Sequence, residues 1–136
     1  MDDYMMQLLN LKVRAIAVYN LMAKILGGLE LPITLASIDG DTAPGDMVES
    51  AIRARTALRD LPMHEVASGL LTTAITDWLS AMAMIAISGE DEDNRTWALA
   101  SAGLQFGRAD EELRIAKGIL DGKVAIEILD DDEDKE

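Results

Sequence analysis

The most apolar stretch of the chain runs from residue 66 to residue 88 and contains one charged residue, Asp77. Its large apolar side chains recur at steps of three and four residues, the period of an α-helix. A second stripe holds small side chains, namely Gly69, Thr72, Thr73, Thr76, Ser80 and Ala83. The pattern predicts a central helix that is buried on most of its circumference, with a small-residue face that lets another helix approach closely.

A helix of this kind is also long enough to cross a bilayer, for which about 20 apolar residues suffice. Asp77 argues against a membrane span, because a charge in mid-segment costs roughly 2.5–3.5 kcal/mol. The flanks are acidic as well, with Glu65 on one side and residues 90–93 on the other. We therefore expect a soluble protein with no membrane attachment.

Helical periodicity continues on both sides of the central segment. We expect helices at about 2–27, 46–61, 63–88 and 94–121, which together predict an all-α, single-domain helical bundle of four main helices. A short strand or extended segment at 123–129 is the alternative to a helical continuation there. The domain is expected to span 1–129, followed by an acidic C-terminal tail, 130–136.

Residue types at the helix ends support these boundaries. Asp2 or Asp3 suits the first N-terminus, and Gly27-Gly28 ends that helix. Asp46 and Glu49 have the spacing of a capping box for the second helix. The polar side of the first helix is narrow, so we expect this helix to be mostly buried, in the core or in an oligomer interface.

The last helix carries a seam of coiled-coil type. Its members, spaced by three and four residues, are Leu99, Ala102, Phe106, Ala109, Leu113, Ala116 and Leu120. On another side, Ala100, Gly103 and Gly107 form a small face, and we expect it to pack on the small stripe of the central helix. Between the first two helices, residues 29–35 alternate with period two, which is typical of either a short strand or an apolar loop over the core.

The composition narrows the functional classes. With 136 residues and 49% hydrophobic content the chain can form a core. It has no cysteine, which excludes disulfides and thiol chemistry, and its first residues are acidic where a signal peptide is basic. We expect a cytoplasmic protein, in the host cytoplasm or the virion if it is encoded by a phage.

The net charge is −13, and the acidic residues are concentrated in the second half of the chain. Such a surface repels nucleic acid and attracts basic proteins, or it only maintains solubility. We assign partner binding to two clusters, Glu90, Asp91, Glu92, Asp93, Asp130, Asp131, Asp132, Glu133 and Asp134.

Few groups are available for catalysis. His64 is the only histidine, and the motifs for zinc, calcium and phosphate binding are absent or incomplete. We therefore expect no cofactor, no metal and no catalytic residue. Asp77 is the remaining candidate: a proton-handling group, an ion pair with Arg14, Lys24 or a neighbouring subunit, or a carboxylate on the exposed edge of the small-residue face.

Arg59 and His64 have an R-x4-H spacing that resembles the signature of HEPN ribonucleases. The resemblance covers six residues and implies a small helical RNase in which Arg59 holds phosphate and His64 acts as base. The sequence departs from the family pattern, because Pro62 interrupts the motif and no Tyr follows the His at two residues.

Taken together, the sequence favours a non-catalytic protein whose acidic surface docks on a basic partner. This class includes inhibitors, immunity or anti-defence proteins and nucleic-acid mimics of phage or mobile-element origin. The first alternative is a self-associating homo-oligomer, such as a virion component. The second is the HEPN-like ribonuclease with Arg59 and His64.

Overall fold

Four α-helices follow one another along the chain: α1 (Asp3–Gly27), α2 (Pro44–Leu58), α3 (Glu65–Glu90) and α4 (Arg95–Leu120), with a 3₁₀ turn at Glu92–Asn94. In this computed structural model, which describes residues 2–39 and 41–122, 79% of the described residues are helical and none forms a strand. The predicted all-α bundle is therefore confirmed. The predictions for 123–129 and for the acidic residues 130–134 lie outside the described residues.

Helix α1 begins and ends where its sequence predicts. The side chain of Asp2 accepts a hydrogen bond from the backbone N–H of Met5 at 2.8 Å, which satisfies one of the unpaired donors of the first turn. At the other end, the N–H of Gly28 bonds to the carbonyl oxygens of Lys24 and Ile25. The residues that flank α1 in the sequence therefore satisfy backbone groups in its first and last turns.

Helix α2 differs from its prediction at its start. The N-cap residue is Ala43, whose side chain makes no capping bond, and Pro44 occupies the first turn. Proline suits this position because its fixed φ is helical and its missing N–H would be unpaired there anyway. The capping box predicted at Asp46 and Glu49 is therefore wrong.

The turn between α3 and α4 is shorter than the sequence indicated. Helix α3 continues through Gly89 to Glu90, and Asp91 is its C-cap. The carboxylate of Asp91 accepts hydrogen bonds from the backbone N–H of Asp93 and from the side-chain amide of Asn94. Only four residues separate the two long helices, so they form a tight antiparallel hairpin.

The core is centred on Trp78 of α3, which is fully buried. Its indole N–H donates to the carbonyl oxygen of Ala15 in α1 at 3.0 Å, and its ring lies 5.7 Å from the ring of Tyr19. From α4, the predicted seam is buried from Leu99 to Ala116. Its last member is exposed, and Ile119 is buried in place of Leu120.

Residues 29–39 form an apolar loop over this core, which decides between the two alternatives for the segment. Ile33 and Leu35 are buried, as their alternation predicts. The loop is held by side chains, because Tyr19 donates its hydroxyl proton to the carbonyl oxygen of Ala36 at 2.6 Å. The backbone N–H of Ala36 donates to the Ser50 hydroxyl oxygen at 2.8 Å.

The small face of α4 packs on α1, and the predicted match with the small stripe of α3 is wrong. Arg14 of α1 lies across this face and donates a hydrogen bond to the carbonyl oxygen of Gly103 at 3.0 Å. A Cβ added at Gly103 would come within 3.3 Å of the Arg14 guanidinium, and one at Gly107 within 3.6 Å. The two glycines therefore make room for an arginine side chain.

The small stripe of α3 faces outward instead. Gly69, Thr73, Thr76 and Ala83 are exposed, and a Cβ at Gly69 would meet no atom within 4 Å. Among the described helices, α3 is the one that is long and apolar enough to span a membrane by length and composition. Its bulky core residues pack against α1, α2 and α4 in this fold.

Candidate functional site

One end of the bundle gathers the start of α1 and the α3–α4 turn. The hydroxyl groups of Tyr4 and Ser88 lie 3.4 Å apart. The guanidinium of Arg95 stacks 4.0 Å above the Tyr4 ring, and its Nε donates to the carbonyl oxygen of Ser88 at 3.0 Å. Arg95 thus provides a positive charge at the C-terminal end of α3, whose own last turn contains no basic residue.

This packing places two groups of acidic side chains at the same end of the molecule. We call the group the acidic cap; its members are Asp2, Asp3, Glu90, Glu92 and Asp93, all of which are exposed. Arg95, the base that follows this turn in the sequence, is only partly exposed because it packs on Tyr4. The cap therefore presents mainly negative charge to solvent.

The predicted partner-binding residues have different roles within this cap. Glu90, Glu92 and Asp93 are exposed, as a docking surface requires. Asp91 is half-buried, and its carboxylate caps the 3₁₀ turn. Asp91 is therefore a structural residue that fixes the turn on which its neighbours lie.

Asp2 and Asp3 belong to the acidic cap although their place in the sequence does not indicate it. Asp2 and Asp3 are more than 80 residues away from the α3–α4 turn in the sequence. The distribution of charge along the chain therefore does not group them with the acidic residues of that turn. The contact between Tyr4 and Ser88 brings the two regions together. The antiparallel arrangement of α3 and α4, with α1 beside them, is what brings the first residues of the chain to this turn.

A second site lies between α3 and α4, where the carboxyl groups of Asp77 and Glu112 meet. Both residues are half-buried, and a side-chain hydrogen bond joins them. Burial raises the pKa of Glu112 most, the bond to Asp77 and its negative charge add to this effect, and nearby Arg108 opposes it, so that the pKa is raised to about 8. Two carboxylates bond in this way only if they share a proton.

This arrangement corrects one of the partners expected for Asp77, namely Arg14. Arg14 bonds to Gly103 on the α1 side of α4, and Asp77 faces a second carboxyl group. The Oε1 atom of Glu112 is buried and has no hydrogen-bond partner. With its pKa raised to about 8, Glu112 keeps its proton at neutral pH within the interface between α3 and α4.

Arg59 and His64 lie on either side of the turn between α2 and α3, and both are exposed. The Nδ1 atom of His64 accepts a hydrogen bond from the backbone N–H of Val66 at 3.2 Å, so the histidine caps α3. His64 also lines a cleft of about 520 Å³, together with Lys24 and Lys117. The ribonuclease alternative stays a prediction, which an unchanged RNase activity in His64→Ala would contradict.

Within residues 2–39 and 41–122, no group of three His, Cys, Asp or Glu side chains is arranged to hold a metal ion. Comparison of the chain with protein-family models, with curated proteins and with solved structures gives no match. The assignment of a function therefore depends on the surfaces described above.

Proposed function

We propose that the protein is a non-catalytic binding protein that docks on a basic protein partner through the acidic cap. The observation that supports this proposal is the convergence of five exposed carboxylates from α1 and the α3–α4 turn at one end of the bundle. Inhibitors, immunity factors and nucleic-acid mimics use such surfaces to reach basic proteins. The expected location is the cytoplasm.

The fixed backbone of the acidic cap supports the same proposal. The cap residues lie on backbone that is fixed by the side chains of Asp2 and Asp91, by the Arg95–Tyr4 stack and by the bond from Arg95 to Ser88. Charges held in place lose less conformational entropy on binding than charges on flexible segments. Their common sign accelerates the encounter with a basic partner and makes it sensitive to salt.

The test compares two variants that remove the same number of charges. The cap variant carries Asp3→Asn, Glu90→Gln, Glu92→Gln and Asp93→Asn. The control variant carries Glu30→Gln, Asp41→Asn, Asp60→Asn and Glu111→Gln, four exposed acids outside the cap. Each variant changes the net charge from −13 to −9, because four negative charges are lost.

Wild-type protein is used to capture partners from a cell extract, and the captured protein is then purified and titrated with all three chains. We expect the captured partner to be basic and the cap variant to bind it more than ~10-fold more weakly, whereas the control loses less than ~3-fold. Equal losses in both variants, or a partner without a basic surface, would contradict the proposal.

A second candidate is a self-associating assembly protein, and a different surface favours it. Eleven large apolar side chains are exposed among the described residues, and five of them lie on α1. Large apolar patches on soluble proteins commonly mark interaction sites. This candidate predicts a defined oligomer, measured as the absolute mass by light scattering.

A further inference from the structure

The outer face of α1 carries a regular row of large apolar side chains. Met6, Leu9, Val13 and Ile16 are each 45–60% exposed, and they follow one another at steps of three, four and three residues. Asn20, also exposed, continues the row after another four residues. We call these five residues the α1 outer seam.

The seam lies on the opposite side of α1 from the core. The buried row of the same helix includes Leu11, Ala15, Val18 and Met22. Helix α1 is therefore apolar on two opposite sides, and only one of them is used inside the bundle. This explains why its polar side is so narrow in the sequence.

The spacing of the seam is that of a two-stranded coiled coil. Met6, Val13 and Asn20 take the a positions, and Leu9 and Ile16 take the d positions. A β-branched residue at a with Leu at d favours two parallel strands, and an Asn at one a position fixes the register. Val13, Leu9 and Asn20 meet these requirements.

The flanking charges agree with a parallel pair. In parallel register, Lys12 of one copy faces Ala17 of the second copy, so Lys12 meets no like charge beside the seam. An antiparallel pair aligned on the same a and d positions would place Lys12 against Lys12 of the second copy. Close like charges are unfavourable, so the parallel pair is preferred.

Net charge also selects α1 as the face where two copies approach. Residues 2–27 contain three bases and two acids, whereas the whole chain has a net charge of −13. Two strongly acidic molecules repel each other least where the surface is nearly neutral. A basic partner, in contrast, has no electrostatic reason to choose this face.

We propose that the α1 outer seam binds a second copy of this chain in a parallel, in-register α1–α1 pair. The inference deepens the self-association candidate and is independent of the docking role of the acidic cap. A seam from Met6 to Asn20 is about 21 Å long, so the interface is small. Because α1 is already folded, pairing costs little ordering, and we expect a dissociation constant of roughly 1–100 µM.

The parallel pair brings both acidic caps to the same end of the dimer. The repulsion between them opposes association, so added salt should strengthen the dimer. Docking of a cap on a basic partner should respond to salt in the opposite direction. Failure of the α1 pairing and failure of the docking proposal are therefore distinguishable.

The first experiment compares the same substitution at two matched positions. Ile16 on α1 is 45% exposed and Ile52 on α2 is 43% exposed. Wild type, Ile16→Glu and Ile52→Glu are compared by sedimentation equilibrium at about 10–500 µM chain. We expect a dimer for wild type and for Ile52→Glu. Ile16→Glu should shift the dissociation constant at least ~10-fold toward monomer, because it places a charge in the pair.

A wild-type monomer at every concentration would overturn the proposal, and so would equal masses for the two variants. Circular dichroism confirms that each variant remains helical. Binding of wild-type monomer to phosphatidylcholine–phosphatidylglycerol vesicles, lost in Ile16→Glu, would assign the face to a membrane and would also overturn the proposal.

The second experiment tests the parallel orientation with a single thiol. The chain has no cysteine, so Val13→Cys introduces the only one. Residues at the same a position face each other in a parallel pair, and mild oxidation should convert most of the chain to a disulfide-linked dimer. Ile52→Cys is the control and should stay monomeric on a denaturing gel. A dimer by mass without the Val13→Cys crosslink would overturn the parallel arrangement.

Discussion

Helices α1 and α3 distribute their apolar residues in opposite ways. The sequence of α3 is the more apolar, with one charge between residues 66 and 88, yet none of its large apolar side chains is exposed. Helix α1 has four charged residues, and it leaves five large apolar side chains in solvent. The more apolar helix is thus the one whose bulky residues are better covered.

Side-chain size explains this difference. The open side of α3 consists of Gly, Thr and Ala, which expose little apolar area when they face water. On α1 the open side consists of Met, Leu, Val and Ile at heptad spacing. Average hydrophobicity identifies a core helix, whereas the size and spacing of the exposed residues identify a surface that needs a partner.

The largest effect on stability is expected when the two tryptophans are compared. Trp78 is fully buried in the core, whereas Trp97 is half exposed on α4. Trp78→Ala should lower the free energy of unfolding by about 3–5 kcal/mol, because it leaves a cavity and removes the bond to Ala15. Trp97→Ala should change it by less than about 1 kcal/mol. Urea unfolding measures both, and similar losses would contradict the burial of α3.

The next contrast enlarges two alanines of α3. Ala74 is fully buried, and Ala83 lies on the exposed small stripe. Ala74→Leu should destabilise the fold by about 1–3 kcal/mol through overpacking, whereas Ala83→Leu should stay within about 0.5 kcal/mol of wild type. A large loss for Ala83→Leu in thermal unfolding would mean that another helix covers the stripe.

The Asp77–Glu112 pair makes stability depend on pH. The raised pKa of Glu112, about 8 against an ordinary 4.5, means that the folded chain keeps a proton which the unfolded chain has released. Between pH 5 and 8 the folded state therefore binds more protons, and the free energy of unfolding falls as pH rises. After allowance for solvent screening we expect a loss on the order of 1–2 kcal/mol.

Glu112→Gln keeps this position neutral and should remove most of that loss, so that the variant exceeds wild type in stability at pH 8.5 and matches it near pH 5.5. Glu30→Gln, at an exposed position in the loop after α1, is the control and should retain the wild-type pH dependence, because Glu30 is not among the charges that raise the pKa of Glu112. Parallel pH profiles for wild type and Glu112→Gln in urea unfolding would refute the shared proton.

The smallest effect on stability is expected for substitutions at two glycines inside helices. Gly69 of α3 has open space around it, whereas Gly103 of α4 lies beneath Arg14. Gly69→Ala should stabilise the protein by about 0.5–1 kcal/mol through helix propensity. Gly103→Ala should gain less, because the guanidinium has to shift and its bond to Gly103 weakens. A larger gain at Gly103 would contradict the close contact between α1 and α4.

Much of the fold could be predicted from the sequence, because its signals are local. The helical period, Asp2, Gly28 and the spacing from Leu99 to Ala116 each fix an element within a few residues. The start of α2 was missed because Pro44 determined it and the Asp46–Glu49 spacing did not. Local spacing shows that a helix exists but only weakly shows which residue begins it.

The sites were harder to predict, because they depend on contacts between distant residues. Asp77 was recognised as unusual, but its partner Glu112 stands on another helix in an ordinary charged run. Asp2 and Asp3 join Glu90 and Glu92 only through the contact of Tyr4 with Ser88. The small face of α4 contacts the long side chain of Arg14. The expectation that small residues on two helices pack against each other does not predict such a contact.

The most direct test of the α1–α3 comparison is the mass of the wild-type protein in solution, measured by light scattering at low and at high salt. The account predicts a dimer of the 14.7-kDa chain whose fraction increases with salt, because screening weakens the repulsion between two acidic copies while the apolar seam is unaffected. A chain that stays monomeric at both salt concentrations would contradict the assignment of the α1 outer seam as an interface.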